Sequence, residues 1–235
     1  MKLSKNTLLL TLGSLLLLSA QTAMALPSAF QATYAVAKGS LKLGNLNTTL
    51  KYSGNRYSYH KYTKATGLAA MLTGIKITEN SDGHISGQSI IPTNYLYNRA
   101  KRSKSKIDKV QFANNRATGS YRGKAFNIAT AGGIQDKVSM ELSLARDLSL
   151  NKPRLSYAVV SKGEKKPYNF QKLGSEVLKT QAGTFNTIKI KVIRSGTKRE
   201  TTFWMAKEMD YMPVKILHRE KNDVITTILR SYKKL

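Results

Sequence analysis

The sequence predicts a mainly β domain, a sandwich or barrel, with one main helix. Three observations carry that reading. From Leu26 onward, apolar and polar residues alternate over short segments, the period of a half-buried strand. Gly, Asn, Asp and Lys punctuate these segments at regular intervals, giving roughly a dozen strands, as in all-β sandwiches and barrels. One stretch, Gln135–Leu148, is longer than most strands and fits a helical period.

The elements follow in order. "FQATYAVAKG" alternates around Phe30, Tyr34 and Val36. "SLKLGNLNTTLKYSGNRYSYHKYTK" holds two strands joined at Ser53-Gly54-Asn55, residues that favour a tight turn. "TGLAAMLTG" (Thr66–Gly74) is rich in Ala, Leu and Met, opened by Thr and closed by Gly, which reads as a short helix. "KITENSDGHISGQSIIP" reads as a hairpin turning at Asp82-Gly83. "YLYNRAKRSKSKIDKVQFANNRATGSYRGKAFNI" adds two or three strands that turn at Asn114-Asn115 and Gly123. In "QDKVSMELSLARDL", Val138, Met140, Leu142 and Leu144 alternate as in a strand. Val138, Leu142 and Ala145 instead fit a helix, Asp136 can cap its start, and the length decides for the helix. Beyond Pro153 come seven strand-like segments: "RLSYAVVSKG", "KPYNFQKLG", "EVLKTQAG", "TFNTIKIKVIRSG", "KRETTFWMA", "YMPVKILHRE" and "VITTILRSYK". No linker, low-complexity block or repeat divides them, so residues 26–235 read as one domain.

The first 25 residues have the layout of a secretory signal peptide. Lys2 and Lys5 form a basic start, Leu8–Leu18 an apolar run, and Ala23-Met24-Ala25 a small-residue cleavage site. The apolar run is shorter than the roughly 20 residues that a spanning helix needs, and no later segment is long enough. The chain has no cysteine, which removes disulfides, thiolate catalysis, thiolate metal sites and lipid-modified cysteine together. The expected location is the periplasm of a bacterium, with no transmembrane segment in the mature chain.

Charge is lopsided: 39 Lys and Arg against 13 Asp and Glu give +26, of which only Lys2 and Lys5 lie before the cleavage site. In the cytoplasm such a balance would point to nucleic acid. Beyond a signal peptide the available polyanions are lipid headgroups, lipopolysaccharide phosphates and acidic glycans, so nucleic acid is not expected as a partner. A solubility device explains the same total.

Residues able to do chemistry are few. His60, His84 and His218 are far apart in sequence and make no H-x-x-x-H pair, and no His/Asp/Glu cluster offers the three or four ligands of a zinc site. S-x-x-K occurs at Ser58–Lys61, Ser103–Lys106 and Ser231–Lys234, but in strands, where i and i+3 face opposite ways. G-x-S-x-G, G-x-x-x-x-G-K and G-x-G-x-x-G are absent, and the carboxylates are scattered. No enzyme, metal or cofactor is expected.

The densest basic run is "RAKRSKSKIDK". On a strand, Arg99 and Lys101 face one way and Arg102, Lys104 and Lys106 the other, so the run reads as an exposed hairpin. Either it guards a sheet edge against pairing, or it is a ridge that contacts phosphates. In "KRETTFWMAKEMDYMPVKILHRE", Phe203 and Met205 share one face and Thr202 and Trp204 the other. "AKEMD" turns, and a second strand returns from Tyr211 to Arg219 with Pro213 marking an edge strand or bulge.

Those last residues carry a resemblance. "GTFNTIKIKVIR" followed by "RETTFWMAKEMDYMPVKI" resembles the C-terminal signature of the Domain of Unknown Function 3108 family, a G-T-F strand, a W-x-A strand and a Y-x-P-V strand. "FQATYAV", "TGLAAM", "IIPTNYLY" and "GIQDKVSMELSLA" stand in the same order upstream, so the similarity runs from Phe30 to about Leu229. The resemblance implies an exported bacterial protein with no assigned activity. It also implies a single strongly curved antiparallel sheet or open barrel around a helix, similar to lipocalins or periplasmic lipoprotein carriers. The matching positions, Gly183, Trp204, Ala206, Tyr211, Pro213 and Val214, read as structural, and no catalytic residue carries over. The lysine load departs from the family pattern.

The expected function is a non-catalytic periplasmic binding or carrier protein for a lipid or another anionic amphiphile, held by an apolar concave face with cationic rims. The alternative is a structural or interaction protein of the envelope, using its basic surface on peptidoglycan, lipopolysaccharide or a partner protein. Intact-mass analysis of the periplasmic fraction should find a chain that begins at Leu26. A membrane-bound species retaining Met1 would refute cleavage after Ala25.

Overall fold

Alternation of apolar residues over fourteen segments yields fourteen strands in one antiparallel sheet. The computed structural model describes residues 26–194, 196 and 198–235; the expected signal peptide lies outside them. In chain order the elements are β1 (Phe30–Lys38), β2 (Leu41–Ser53), β3 (Arg56–Ala65), α1 (Gly67–Thr73), β4 (Ile75–Ser86), β5 (Ser89–Lys101), β6 (Lys104–Ala113), β7 (Arg116–Tyr121) and β8 (Lys124–Ala129). Then follow α2 (Lys137–Ser149), β9 (Leu155–Ser161), β10 (Glu164–Thr180), β11 (Gly183–Ile193), β12 (Arg199–Ala206), a 3-10 turn at Lys207–Met209, β13 (Met212–Glu220) and β14 (Asp223–Lys234). Spatial order is β8-β7-β6-β5-β4-β3-β2-β1-β14-β13-β12-β11-β10-β9. Two meanders therefore join in the middle through the first and last strands, and β8 and β9 are the sheet edges.

The sheet curls around α2 without closing on itself. No ladder joins β8 to β9 among the described residues; the seam is bridged by the segment before the helix. Gln135 pairs in parallel with Val159, its amide donating to Ala158 O (2.9 Å) while its carbonyl accepts from Val160 N (2.9 Å). Its side chain donates to Ile90 O of β5 (3.0 Å) and accepts from Ser143 of α2 (3.1 Å). One residue thus ties β9, β5 and the helix together.

α2 forms because Asp136 caps it. Its carboxylate accepts from the amides of Val138 (2.7 Å) and Ser139 (2.8 Å), and Ser139 Oγ accepts from the Asp136 amide (2.9 Å), a reciprocal capping box. The helix is buried on more than one side. Val138, Leu142 and Ala145 pack with Phe30, Tyr34, Tyr59 and Ile90 in one cluster. Met140, Leu144 and Leu148 pack with Leu155, Val159, Phe170, Ile190 and Met205 in another. Such wide burial forces its polar side chains to find partners inside. Glu141 takes Lys61 Nζ at 2.5 and 2.7 Å, Asp147 accepts from Tyr157 OH (3.0 Å), and Asp136 accepts from Ser81 Oγ (2.6 Å), itself bonded to Tyr57 OH.

Both helices form where the sequence places them, and the turns at Gly54-Asn55, Asn114-Asn115 and Gly123 occur as expected. Two boundaries differ. Asp82-Gly83 is not a turn: β4 runs through it with a bulge, and the chain turns at Gly87-Gln88. Gly83 is there because a Cβ would stand 2.2 Å from Ile91 O. "KPYNFQKLG" and "EVLKTQAG" are one strand, β10, whose register shifts between Lys172 and Gly174, where Gly174 takes φ +125°.

Register sets the faces of β12. Phe203 and Met205 join the cluster of Met140, Leu144 and Leu148, and Trp204, opposite Lys189 and Lys215, joins the other cluster, which holds Val138, Leu142, Ala206 and Val214. Trp204 is 5% exposed. Lys215 and Lys189 lie over its ring at 4.5 and 5.1 Å from the centroid, and its indole N–H donates to Glu176 of β10. Of the family positions, Ala206, Pro213 and Val214 are buried and Tyr211 takes φ +59° in the turn. Pro213 sits at a register shift between β12 and β13, a bulge in an interior strand rather than an edge. Gly183 takes φ +135° at the β10–β11 turn.

Trp204→Ala should lower stability by about 3–5 kcal/mol, as large-to-small core changes do, and native tryptophan emission should be blue-shifted. A loss under about 1 kcal/mol in urea unfolding would contradict the packed position. Burial raises the Asp136 carboxyl to about 6, against the lowering effect of its hydrogen bonds. A raised carboxyl binds its proton more tightly in the folded state. Its contribution is therefore fully present below about pH 4 and is lost as pH rises through 6, on the order of 3 kcal/mol. Asp136→Asn keeps a good cap and should flatten that part of the profile; matching unfolding profiles between pH 4 and 7 would disprove the assignment.

Candidate functional site

An antiparallel meander sends alternate connections to the same end. The connections β1–β2, β3–β4, β5–β6, β7–β8, β9–β10, β11–β12 and β13–β14 share one rim, the front; the others share the back. Cations occupy or flank every front connection, among them Lys38, Lys76, Arg102, Arg122, Lys162, Arg194 and Lys221. At the back, Arg56, Arg116 and Lys179 flank three of the four short turns (Gly54-Asn55, Asn114-Asn115 and Gln181-Ala182), and none flanks Gly87-Gln88. The β12–β13 connection is net acidic with Lys207, Glu208 and Asp210, so cations are sparser there. The charge excess is thus polarised along the barrel.

The front rim holds a cavity of about 690 Å³. β9 and its turn supply Val159, Ser161 and Lys162, and β10 supplies Glu164 and Lys166 to Asn169. β11 and β12 contribute Ile193, Arg194 and Arg199, β13 His218, and the first turn of α2 Lys137. Two of its cations are already paired, Arg199 with Glu220 (2.5 Å) and Lys166 with Glu164. Lys137, Lys162 and Arg194 make no ion pair within 4 Å among the described residues. Arg194 donates to Thr201 Oγ1 (3.0 Å), which also bonds His218 Nδ1 (2.9 Å).

Behind this wall lies Asp108 of β6, 1% exposed. One carboxylate oxygen accepts from the Lys162 amide (2.6 Å), and the other has no hydrogen-bond partner. Burial raises its pKa, and the charges of Lys137 and Lys162 pull it back. It spans the seam from β6 to the β9–β10 turn and so ties Ser161 and Lys162 of the cavity lining to β6. Of the remaining lining, Ser161 and Asn169 are polar, Val159 is fully buried, and Pro167, Tyr168 and Ile193 supply the apolar wall. Unpaired cations beside an apolar wall can hold an anionic group with a hydrocarbon portion attached.

Thr201, His218 and Glu220 are the nearest approach to a catalytic relay. The His218 to Glu220 distance is 3.8 Å, beyond a hydrogen bond, and Arg199 holds the carboxylate, keeping its pKa below the usual range. The relay lacks the oriented carboxylate that a general base requires. His60 bonds Asn80 (2.5 Å) far from this cavity. No group of three His, Cys, Asp or Glu able to hold a metal occurs among the described residues.

The basic run is in the place expected of an exposed hairpin. Lys101, Arg102, Lys104 and Lys106 are exposed at the β5–β6 tip, and Arg99 is half-buried. These strands are interior to the sheet, but β7 pairs with β6 only from Asp108 onward, so the edge at Lys104–Lys106 is locally free. They lie outside the cavity. The cavity's own residues come from segments as far apart as Lys137 and His218, and only the overall basic excess hinted at them.

A helix enclosed by an open antiparallel barrel with one cationic rim defines the class. Within that class the chain belongs to the family described as a protein of unknown function, DUF3108, whose profile matches residues 29–230. Among solved structures, a β-barrel-like protein of the domain of unknown function DUF1849 from Brucella abortus superimposes with a TM-score of 0.58 at 7% identity. The match covers 89% of this chain and 98% of that one. The likeness shows the fold. A second structure, from Parabacteroides distasonis, covers the same shares at 10% identity with a TM-score of 0.34, too low to carry an argument. No curated protein matches the chain. No described helix is long and apolar enough to cross a membrane.

Proposed function

We propose that this is a non-catalytic binding protein of the bacterial envelope that takes the anionic headgroup of an amphiphile into the front-rim cavity. One observation carries the reading: Lys137, Lys162 and Arg194 line one cavity with no ion pair within 4 Å among the described residues, two of them balanced only by the buried Asp108 behind them, and Pro167, Tyr168 and Ile193 stand beside them. The basic start, apolar run and A-x-A site at 1–25 support a periplasmic location. The Thr201–His218 pair, with no carboxylate within hydrogen-bond distance of the imidazole, supports binding without turnover. Enclosure of a long acyl chain within the barrel is disfavoured, because α2 already fills the concave face with Val138, Leu142, Leu144 and Leu148. The ligand sits at the rim.

Calorimetric titration of the mature protein with dodecyl phosphate tests this. Affinity should fall at least tenfold in Arg194→Glu and in Lys137→Glu, with tryptophan emission unchanged. Hexyl phosphate should bind more weakly than dodecyl phosphate, since each buried methylene contributes up to about 0.8 kcal/mol. Charge reversal without loss of affinity would refute the site, and equal affinity for both chain lengths would refute the apolar wall.

A further inference from the structure

α1 shows an inverted pattern for a helix on a globular protein. None of its residues is buried. Leu68, Met71 and Leu72 fall at i, i+3 and i+4, one stripe of the helix, and are 59%, 80% and 62% exposed. Such a stripe normally turns inward. Here it faces solvent while the backbone is firmly held. The Thr66 amide donates to Leu43 O (3.1 Å), Gly74 N closes the helix on Ala70 O (2.8 Å), and Arg102 of the β5–β6 tip donates to Leu72 O (3.2 Å).

That last bond puts the apolar stripe beside the densest cationic tip in the protein. Lys101, Lys104 and Lys106 are exposed around Arg102 and make no ion pair within 4 Å among the described residues. An apolar stripe flanked by lysines matches the two layers of an anionic bilayer surface, the acyl boundary and the headgroup phosphates. A protein partner with an acidic rim offers the same charge. The outward stripe, however, is three flexible side chains on a convex helical turn, with no groove to fit a shaped partner. We infer that α1 and the β5–β6 tip form a docking surface for anionic phospholipid membranes. Leu68, Met71 and Leu72 enter the acyl boundary while the tip lysines meet the headgroups. Each lysine near such a surface raises partitioning about fivefold. Docking does not depend on the cavity reading, but both lie on the front rim. A docked molecule therefore turns its cavity-bearing rim toward the bilayer.

The test is co-sedimentation of the mature protein with phosphatidylethanolamine vesicles, with and without phosphatidylglycerol. Wild type should bind only the anionic vesicles. Leu68→Gln/Met71→Gln/Leu72→Gln should weaken partitioning at least tenfold at both low and high salt. Lys101→Glu/Lys104→Glu/Lys106→Glu should abolish it at low salt. Both sets change exposed side chains, and circular dichroism should match wild type. Arg116→Glu, on a back turn, should bind vesicles within about twofold of wild type, each cation being worth about fivefold only at the surface, and the glutamine triple variant should keep its affinity for dodecyl phosphate, so failure of the cavity reading leaves this one standing. No wild-type binding to anionic vesicles would overturn the inference. So would wild-type binding by the glutamine triple variant, or a vesicle-free dimer dispersed by that variant, which would make a second copy the occupant.

Discussion

The helix enclosed by the sheet is the constraint on which the rest depends. Burying α2 takes at least four polar side chains out of water, and each must be met by a partner fixed in the wall. Ser81 on β4 answers Asp136, Lys61 on β3 answers Glu141, Tyr157 on β9 answers Asp147, and Gln135 answers Ser143. These partners come from both halves of the sheet, so the helix fixes how the two meanders stand to one another. The Lys61–Glu141 pair shows the energetic side. Burial raises the Glu141 carboxyl despite the lysine, so the pair contributes little net stability. Removing one member would strand the other, which typically costs about 3–5 kcal/mol. The pair specifies position more than it adds stability.

Periodicity made the strands legible, and capping made the main helix legible, because both are local. Asp136 bonds the amides two and three residues on, and Ser139 answers it. What escaped was set by distant backbone. Asp82-Gly83 has the composition of a turn, yet Gly83 serves close approach by β5, and a single sequence gives the same residues for both uses. Pro213 fits an edge or a bulge by sequence, and only its neighbours decide for the bulge. Trp204 is legible as packed, but not that two lysines and Glu176 complete its cover beside the core cluster.

The site was less legible than the fold for the same reason. Arg194, Lys162 and Lys137 sit in segments with nothing to mark them among 39 basic residues. Meander topology selects Lys162 and Arg194, by sending every second connection to the same rim, and the pairing of Gln135 with Val159 brings Lys137 beside them. The contiguous run Arg99 to Lys106 drew attention because it is contiguous, and it lies elsewhere on that rim. Density along a chain and density in space are different quantities, and the antiparallel connection rule converts one to the other.

Pairing of β1 with β14 at the centre of the sheet has a consequence for how the molecule comes into being. Every other ladder joins strands adjacent in sequence, so each meander is built from local contacts with low closure entropy. The central ladder spans the whole chain. A polypeptide that emerges from its N-terminus exposes the apolar face of β1, with Phe30 and Tyr34, on one unpaired side until its last dozen residues arrive. For that interval β1 is an open edge, the kind of surface at which nascent β proteins misassociate. Truncation within β14 would prolong the interval indefinitely, which makes the final strand a licence for the first.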